Sequence, residues 1–213
     1  MNSKQRDIPA PCSSAAWEVQ TVCEMIDRQD PRDVYLEIGS NIGGSLWAFG
    51  RHMTKCATLI AVEKPGARGR DPGGALEQLQ GVADRLEAGC GYQPRIVLGD
   101  SHAAETLASV TEMLAGRKID VLFIDGDHSL AGVTGDAERY LPLVRSGGLV
   151  IFHDCGLPTS GMKSRVIRQL TACRSVWAKY AADRRNMLIQ EWCGYGMVWN
   201  GVPAGRKDGQ DER

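Results

Sequence analysis

The chain has 213 residues, 43% hydrophobic and 24% charged, with a net charge of −1, which is the profile of one globular domain large enough for a full core. That balance offers no general attraction for a polyanion, so nucleic-acid binding is not expected, and no apolar run approaches the roughly 20 residues of a membrane span. The seven cysteines (Cys12, Cys23, Cys56, Cys90, Cys155, Cys173 and Cys193) are scattered and never form C-x-x-C, so neither a disulfide framework nor a thiolate zinc site is suggested.

In chain order, residues 1–12 read as a flexible arm without the apolar core of a signal peptide, and a reduced cytoplasm is the expected location. An N-terminal helical region covers 13–30. Ser13 or Ser14 is placed to cap a helix from Ala15 to about Gln29, which Pro31 ends. A strand at about 33–38 contains Glu37 and runs into Gly39-Ser40-Asn41-Ile42-Gly43-Gly44-Ser45, and a helix follows to about Thr54. Strand, glycine turn and helix in that order make a cofactor loop. Gly39 can take positive φ, and Gly43 and Gly44 let a ligand lie against the backbone. Thr58 to Glu63 is a second strand ending in an acid. Glu63 stands where nucleotide-binding α/β folds place a carboxylate on a ribose diol, and an ordinary solvated glutamate fits equally well. The loop from Lys64 to Gly74 reads either as a lid with Arg68 and Arg70 near the mouth or as a plain solvated loop.

A helix over 75–88 precedes a short strand, 95–98, that ends in Gly99-Asp100-Ser101. Asp100 or Ser101 can cap the next helix, through about Ala115, and still touch a ligand at that sheet edge. Ile119 to Ile124 is almost wholly apolar and so reads as a central strand. It delivers Asp125-Gly126-Asp127-His128 and leads to a helix over about 130–144. After a turn at Ser146-Gly147-Gly148, a strand over 149–152 delivers His153-Asp154. A helix over 162–172 follows. Two β-like stretches, 175–180 and 187–199, suggest an antiparallel edge pair, and 204–213 reads as a frayed tail.

Two neighbouring buried strands thus bring acids to one edge. Carboxylates held together are costly unless a cation or proton lies between them, and a divalent metal on Asp125 and Asp154 resolves the cost economically. His153 as a third ligand tilts the preference from magnesium toward manganese or another transition metal. The alternative is that the acids are helix caps and the histidine is merely hydrogen-bonded. An imidazole at His128 suits a general base near neutral pH, and a metal beside it favours activation of a hydroxyl.

The order of motifs over about 33–155 resembles a class I methyltransferase dependent on S-adenosylmethionine. Glu37-Ile38-Gly39-Ser40-Asn41-Ile42-Gly43-Gly44-Ser45 is similar to that family's E/D-x-G-x-x-x-G loop. Phe123 to Ser129, together with Gly147 to Asp154, resembles the metal-dependent sugar O-methyltransferases of the macrolide type and the cephalosporin-hydroxylase-like branch. The resemblance implies an α/β, Rossmann-like, seven-stranded sheet, mostly parallel with an antiparallel C-terminal edge pair and helices on both faces. It implies that Glu37 and Gly39, with Ser40, Asn41, Gly43 and Ser45 of the same loop, hold the methionine end of the cofactor. Glu63 would meet the ribose, and Asp100 with Ser101 the adenine side, while Asp125 would border the cofactor and bind magnesium with Asp154. His128 would be the base. His153 stands where the macrolide enzymes carry a glutamate, which leaves the third ligand, and magnesium against manganese, open.

The expected activity is methyl transfer to a hydroxyl of a sugar, on a natural product or an oligosaccharide, by a single-domain enzyme; a homodimer is the default assembly. A catechol-type O-methyltransferase on the same fold is the first alternative. A nicotinamide oxidoreductase is disfavoured by the glycine spacing and the lack of a Y-x-x-x-K pair, and a non-catalytic cofactor-binding protein by the retained acids and histidine.

Overall fold

The computed structural model describes residues 14–66 and 72–204. The arm at 1–12, Ser13, Arg68, Arg70 and residues 205–213 of the tail lie outside the described residues.

Seven strands, β1 (Val34–Ile38), β2 (Thr58–Glu63), β3 (Gln93–Leu98), β4 (Ile119–Ile124), β5 (Val144–His153), β6 (Arg184–Ile189) and β7 (Tyr195–Pro203), form one sheet in the order β3-β2-β1-β4-β5-β7-β6. The first five are parallel; β7 runs antiparallel to both β5 and β6. Every residue of β1 and β4 is buried, as apolar strands covered on both faces must be. Tyr35, Val121 and Phe123 point to one face and pack with helices α1 (Ala16–Asp27), α2 (Gly44–Gly50) and α3 (Pro72–Cys90). Leu36, Ile38, Leu122 and Ile124 point to the other, with α4 (Ala104–Leu114), α5 (Leu130–Tyr140) and α6 (Ser164–Ala181). The buried acid of β4, Asp120, is fully used: it accepts from the Asp33 and Val34 amides at 2.8 and 2.9 Å and pairs with Arg145 Nε at 2.6 Å.

The chain lays β2 and β3 on one side of β1, then returns to place β4 on the other. Strand order reverses between β1 and β4, and in open α/β sheets ligands bind at the carboxyl edge of such a reversal. Gly39 follows β1 with φ +88°, and a Cβ there would stand 2.3 Å from the Asp125 carbonyl oxygen. The Asp125 amide donates to the Ile38 carbonyl at 2.9 Å. The two loops meet backbone to backbone, which only glycine permits at position 39.

Several local expectations are corrected. The stretch 175–180 is helical. Leu170, Cys173, Val176, Trp177 and Ala181 keep one buried face of α6, and the Trp177 indole donates to the Met197 carbonyl at 3.2 Å over Gly196. The edge pair is β6 and β7, with a turn at 190–194 dividing the expected 187–199 strand. Helix α1 starts after Ala15, not after a serine cap. Asp100 and Ser101 do not cap α4, whose N-cap is Ala103. Helix α5 stops at Tyr140, where Pro142 tightens the chain into a 3-10 turn over Leu141–Leu143. Ser146-Gly147-Gly148 lies inside β5, where Gly147 takes φ +76° beside a shift of register against β4.

Candidate active site

The glycine loop after β1 is built around Glu37. Its side chain is fully buried, and it accepts from Tyr35 Oη at 2.5 Å and Ser45 Oγ at 2.7 Å. Burial pushes its carboxyl up to about 7, against those two donors. Gly43 caps α2 with φ +88°, and a Cβ there would press on Leu79 and Val82 of α3, so its lack of a side chain serves helix packing. Glu37 and Ser40 are buried, and Gly39 of this loop lines the cavity.

Next along the sheet edge, Glu63 Oε2 accepts from the Asn41 amide at 2.6 Å, which ties the end of β2 to the glycine loop. Lys64 Nζ pairs with Asp100 Oδ2 at 2.7 Å and holds that carboxyl below its ordinary value. Asp100 Oδ1 also accepts from the His102 amide at 2.9 Å, closing the turn before α4. Ser101 Oγ donates to Asp136 Oδ1 at 2.6 Å, and His102 Nε2 lies 3.1 Å from the same oxygen. Asp136 is fully buried, and burial pushes its carboxyl up to about 6.

The ends of β4 and β5 carry a cluster of acids and histidines. His128 lies between two acids, its Nδ1 2.6 Å from Asp154 Oδ2 and its Nε2 3.1 Å from Asp125 Oδ1. Neither approach is aligned as a hydrogen bond, and Nε2 is buried with no hydrogen-bond partner. Burial lowers the pKa of His128, but the two carboxylates outweigh it and raise it to about 10. Burial likewise pushes Asp125 upward, yet His153 and His128 hold it well below the usual carboxylate range. His153 Nδ1 lies 3.0 Å from Asp125 Oδ1 and 3.4 Å from Asp154 Oδ1. Asp154 holds φ +56°, the left-handed region that few non-glycine residues adopt. Asp127, by contrast, closes its own turn, accepting from the Ser129 amide at 2.9 Å.

Three supports come from far away in the chain. Ser14 Oγ bonds His153 Nε2 at 2.9 Å and Tyr195 Oη at 2.6 Å. Glu18, fully buried on α1, accepts from the Gly194 amide at 3.0 Å and the Ala15 amide at 3.0 Å. The turn it braces brings Cys193 to Asp154, whose charge, after burial, pushes the thiol up to about 12. Lone serines and an amphipathic-helix glutamate carry no sequence signal for these contacts.

A cavity of about 800 Å³ joins these parts, within the range of small-molecule sites. Glu63, Asp100 and Ser101 line one end, and Asp125, His128 and Asp154 the other. From α6, Arg165 and Gln169 close the second end, with Gln169 Nε2 3.5 Å from His128 Nδ1. Neither was marked by any motif. His153 stays behind the wall, its ring turned to the two acids.

The sequence matches the Methyltransf_24 family model, Methyltransferase domain, over residues 36–155, from β1 to the residue after Asp154. The chain belongs to this methyltransferase family. That membership decides against the nicotinamide alternative. Among solved structures, the methyltransferase resembles cofactor-bound Rv0187 from MTB, with 18% identity and a TM-score of 0.66 over 91% of this chain and 84% of that one. It also resembles an O-methyltransferase from Bacillus cereus in complex with SAH, with 16% identity and a TM-score of 0.61 over 88% and 82%. A third likeness is to the O-methyltransferase TomG from Streptomyces achromogenes in complex with SAM, with 16% identity and a TM-score of 0.60 over 88% and 81%. At such identities the likeness is one of fold. No curated protein sequence matches significantly.

Proposed function

We propose that the protein transfers the methyl group of S-adenosylmethionine to a sugar hydroxyl, with His128 as base and a divalent cation held by Asp125 and Asp154. The observation that carries this reading is the Asp125–His128–Asp154 cluster, which shares one cavity with Glu63 and Asp100. Two of the similar structures are complexes with SAH or SAM, which supports the same cofactor here. In this chain the glycine loop and Asp125 would border the methionine end, Glu63 the ribose, and Asp100 with Ser101 the adenine side.

The donor set fits a cation. Ligand atoms of Asp125, His128 and Asp154 all lie within 4.8 Å of one another, so a cation on the two acids would stand beside the His128 ring. Asp154 takes a strained backbone to aim its carboxylate there, and such strain collects at functional sites. A divalent cation at this place supplies charge that stabilises an oxyanion developing on the acceptor. His128 Nδ1 lies 2.6 Å from Asp154 Oδ2, and a proton kept on that side would leave Nε2 to take the hydroxyl proton. S-adenosylmethionine, held by the glycine loop, Glu63 and Asp100, would supply the methyl group to that oxygen, and the chain's main contribution would be to hold the two partners together. The acceptor end is lined by Arg165, Gln169 and the acids, with no Phe, Tyr or Trp among the described lining residues. A polar wall suits a polyol better than a flat catechol ring.

The test is methyl transfer from S-adenosylmethionine to a panel of sugar and catechol acceptors, with and without chelator. Asp125→Asn and Asp154→Asn keep size and tolerate the local backbone, and each should lower kcat/KM by about 100-fold or more. Full turnover by either variant in chelator would contradict the metal role, and preference for catechols would contradict the sugar.

A further inference from the structure

The fold places a thiol at the acid cluster. Ligand atoms of His153, Asp154 and Cys193 all lie within 4.8 Å of one another. The turn carrying Cys193 is fastened from several sides. The Gly156 amide donates to the Cys193 carbonyl at 2.7 Å, the Cys155 amide to Gly194 at 3.2 Å, and the Leu157 amide to Gln190 at 2.8 Å. Glu18 holds the Gly194 amide from α1. Gly156 and Gly194 pack so closely that a Cβ on either would lie 2.4 Å from the facing backbone. The position of the thiol is therefore set by the sheet edge itself.

His153 is held from behind. The Ser14 hydroxyl, itself bonded to Tyr195 Oη, can accept a proton from His153 Nε2. Its Nδ1 faces Asp125 Oδ1 at 3.0 Å and Asp154 Oδ1 at 3.4 Å, a contact that either a proton or a cation between them satisfies. An outer partner that fixes the tautomer of a histidine is also how protein metal sites orient imidazole ligands. Magnesium favours an all-oxygen octahedron, whereas mixed sulfur, nitrogen and oxygen donors suit zinc, cobalt(II) and iron(II).

We propose that Cys193 and His153 join Asp154 as ligands, so that the centre takes a zinc-type transition cation in preference to magnesium. This rests on reading the acids as a metal centre and names the class of metal. On binding, the thiol proton leaves to solvent and the thiolate bonds the cation, with no change of oxidation state.

The experiment titrates the full, metal-stripped chain with cobalt(II), zinc and magnesium, reading the thiolate-to-cobalt charge-transfer band and the zinc Kd by chelator competition. The unaltered protein should show the band and bind zinc roughly 100-fold or more tighter than magnesium. Cys193→Ser and Cys193→Ala should lose the band and weaken zinc by at least about 10-fold, while Cys56→Ser, altering an exposed cysteine, keeps both. Two Cys193 variants, each checked by thermal melt, separate ligand loss from misfolding. A band that survives both Cys193 variants, or an unchanged zinc Kd, would overturn the proposal. Magnesium-selective binding that Asp125→Asn abolishes and Cys193→Ser leaves alone would also overturn it, yet would leave the acids as a metal centre. Failure of every cation to bind while S-adenosylhomocysteine still does would overturn both metal readings and spare the methyltransferase.

Discussion

At the level of single residues, the proposed chemistry rests on groups whose protonation is set by their neighbours. His128 is drawn up to about 10 by the acids on either side, so charge that engages those acids elsewhere returns it toward a useful base. His128→Ala should cut kcat by about 100-fold or more and leave the Kd for S-adenosylhomocysteine within about twofold. An unaltered kcat would remove it from the base role. Glu37 gives a separate reading on stability. Its carboxyl rises from 4.5 to about 7 on folding, so the folded chain holds the extra proton between those pH values. The associated stability is complete below pH 4.5 and is lost as pH rises through about 7, at most about 3 kcal/mol. Glu37→Gln should remove that slope, which melting curves across the pH window would show. An unchanged slope would place the titration elsewhere. The residues of the acid–histidine cluster were legible as neighbours because their motifs are contiguous: Asp125 and His128 lie in one loop, and His153 and Asp154 end one strand. Ser14, Glu18 and Cys193 were not, since the contacts Ser14–His153 and Glu18–Gly194 span 139 and 176 residues. Only the packed fold brings them together.

At the level of elements, strand ends aim the site and glycines decide how closely they approach. Strands β2 and β4 were readable to the residue from their apolar runs, and the strand-turn-helix order at β1 was equally plain. The 175–180 segment misled because Val176, Trp177 and Tyr180 favour strands, while the helix is won by burial of one face of α6 against β7. The glycine loop was recognised, but the reason for Gly39 was tertiary: it makes room for the Asp125 backbone. Gly39→Ala should therefore cost well over the ~1 kcal/mol of positive φ alone and weaken S-adenosylhomocysteine binding strongly. Gly116→Ala is the control, with φ +80° and nothing within 4 Å of its Cβ. It should cost about 1 kcal/mol and leave binding intact. Equal losses in the two variants, followed by calorimetry, would contradict the close approach of the β1 and β4 loops.

For the whole molecule, two apolar layers flank one sheet, and the strand reversal between β1 and β4 opens its carboxyl edge into the cavity. None of the described helices is long and apolar enough to cross a membrane. The fold class was legible from the alternation of strands and helices, and the family match over residues 36–155 agrees with it. The polar wall that α6 gives the cavity was not legible, because Arg165 and Gln169 read as ordinary surface positions of an amphipathic helix. The central claim is that this cavity takes S-adenosylmethionine. The most direct measurement is a calorimetric titration of the full chain with S-adenosylhomocysteine and, separately, with NAD. Saturable one-to-one binding of S-adenosylhomocysteine, weakened at least about 10-fold by Glu63→Ala and not matched by NAD, is the predicted result. Saturable NAD binding with no response to S-adenosylhomocysteine would contradict it.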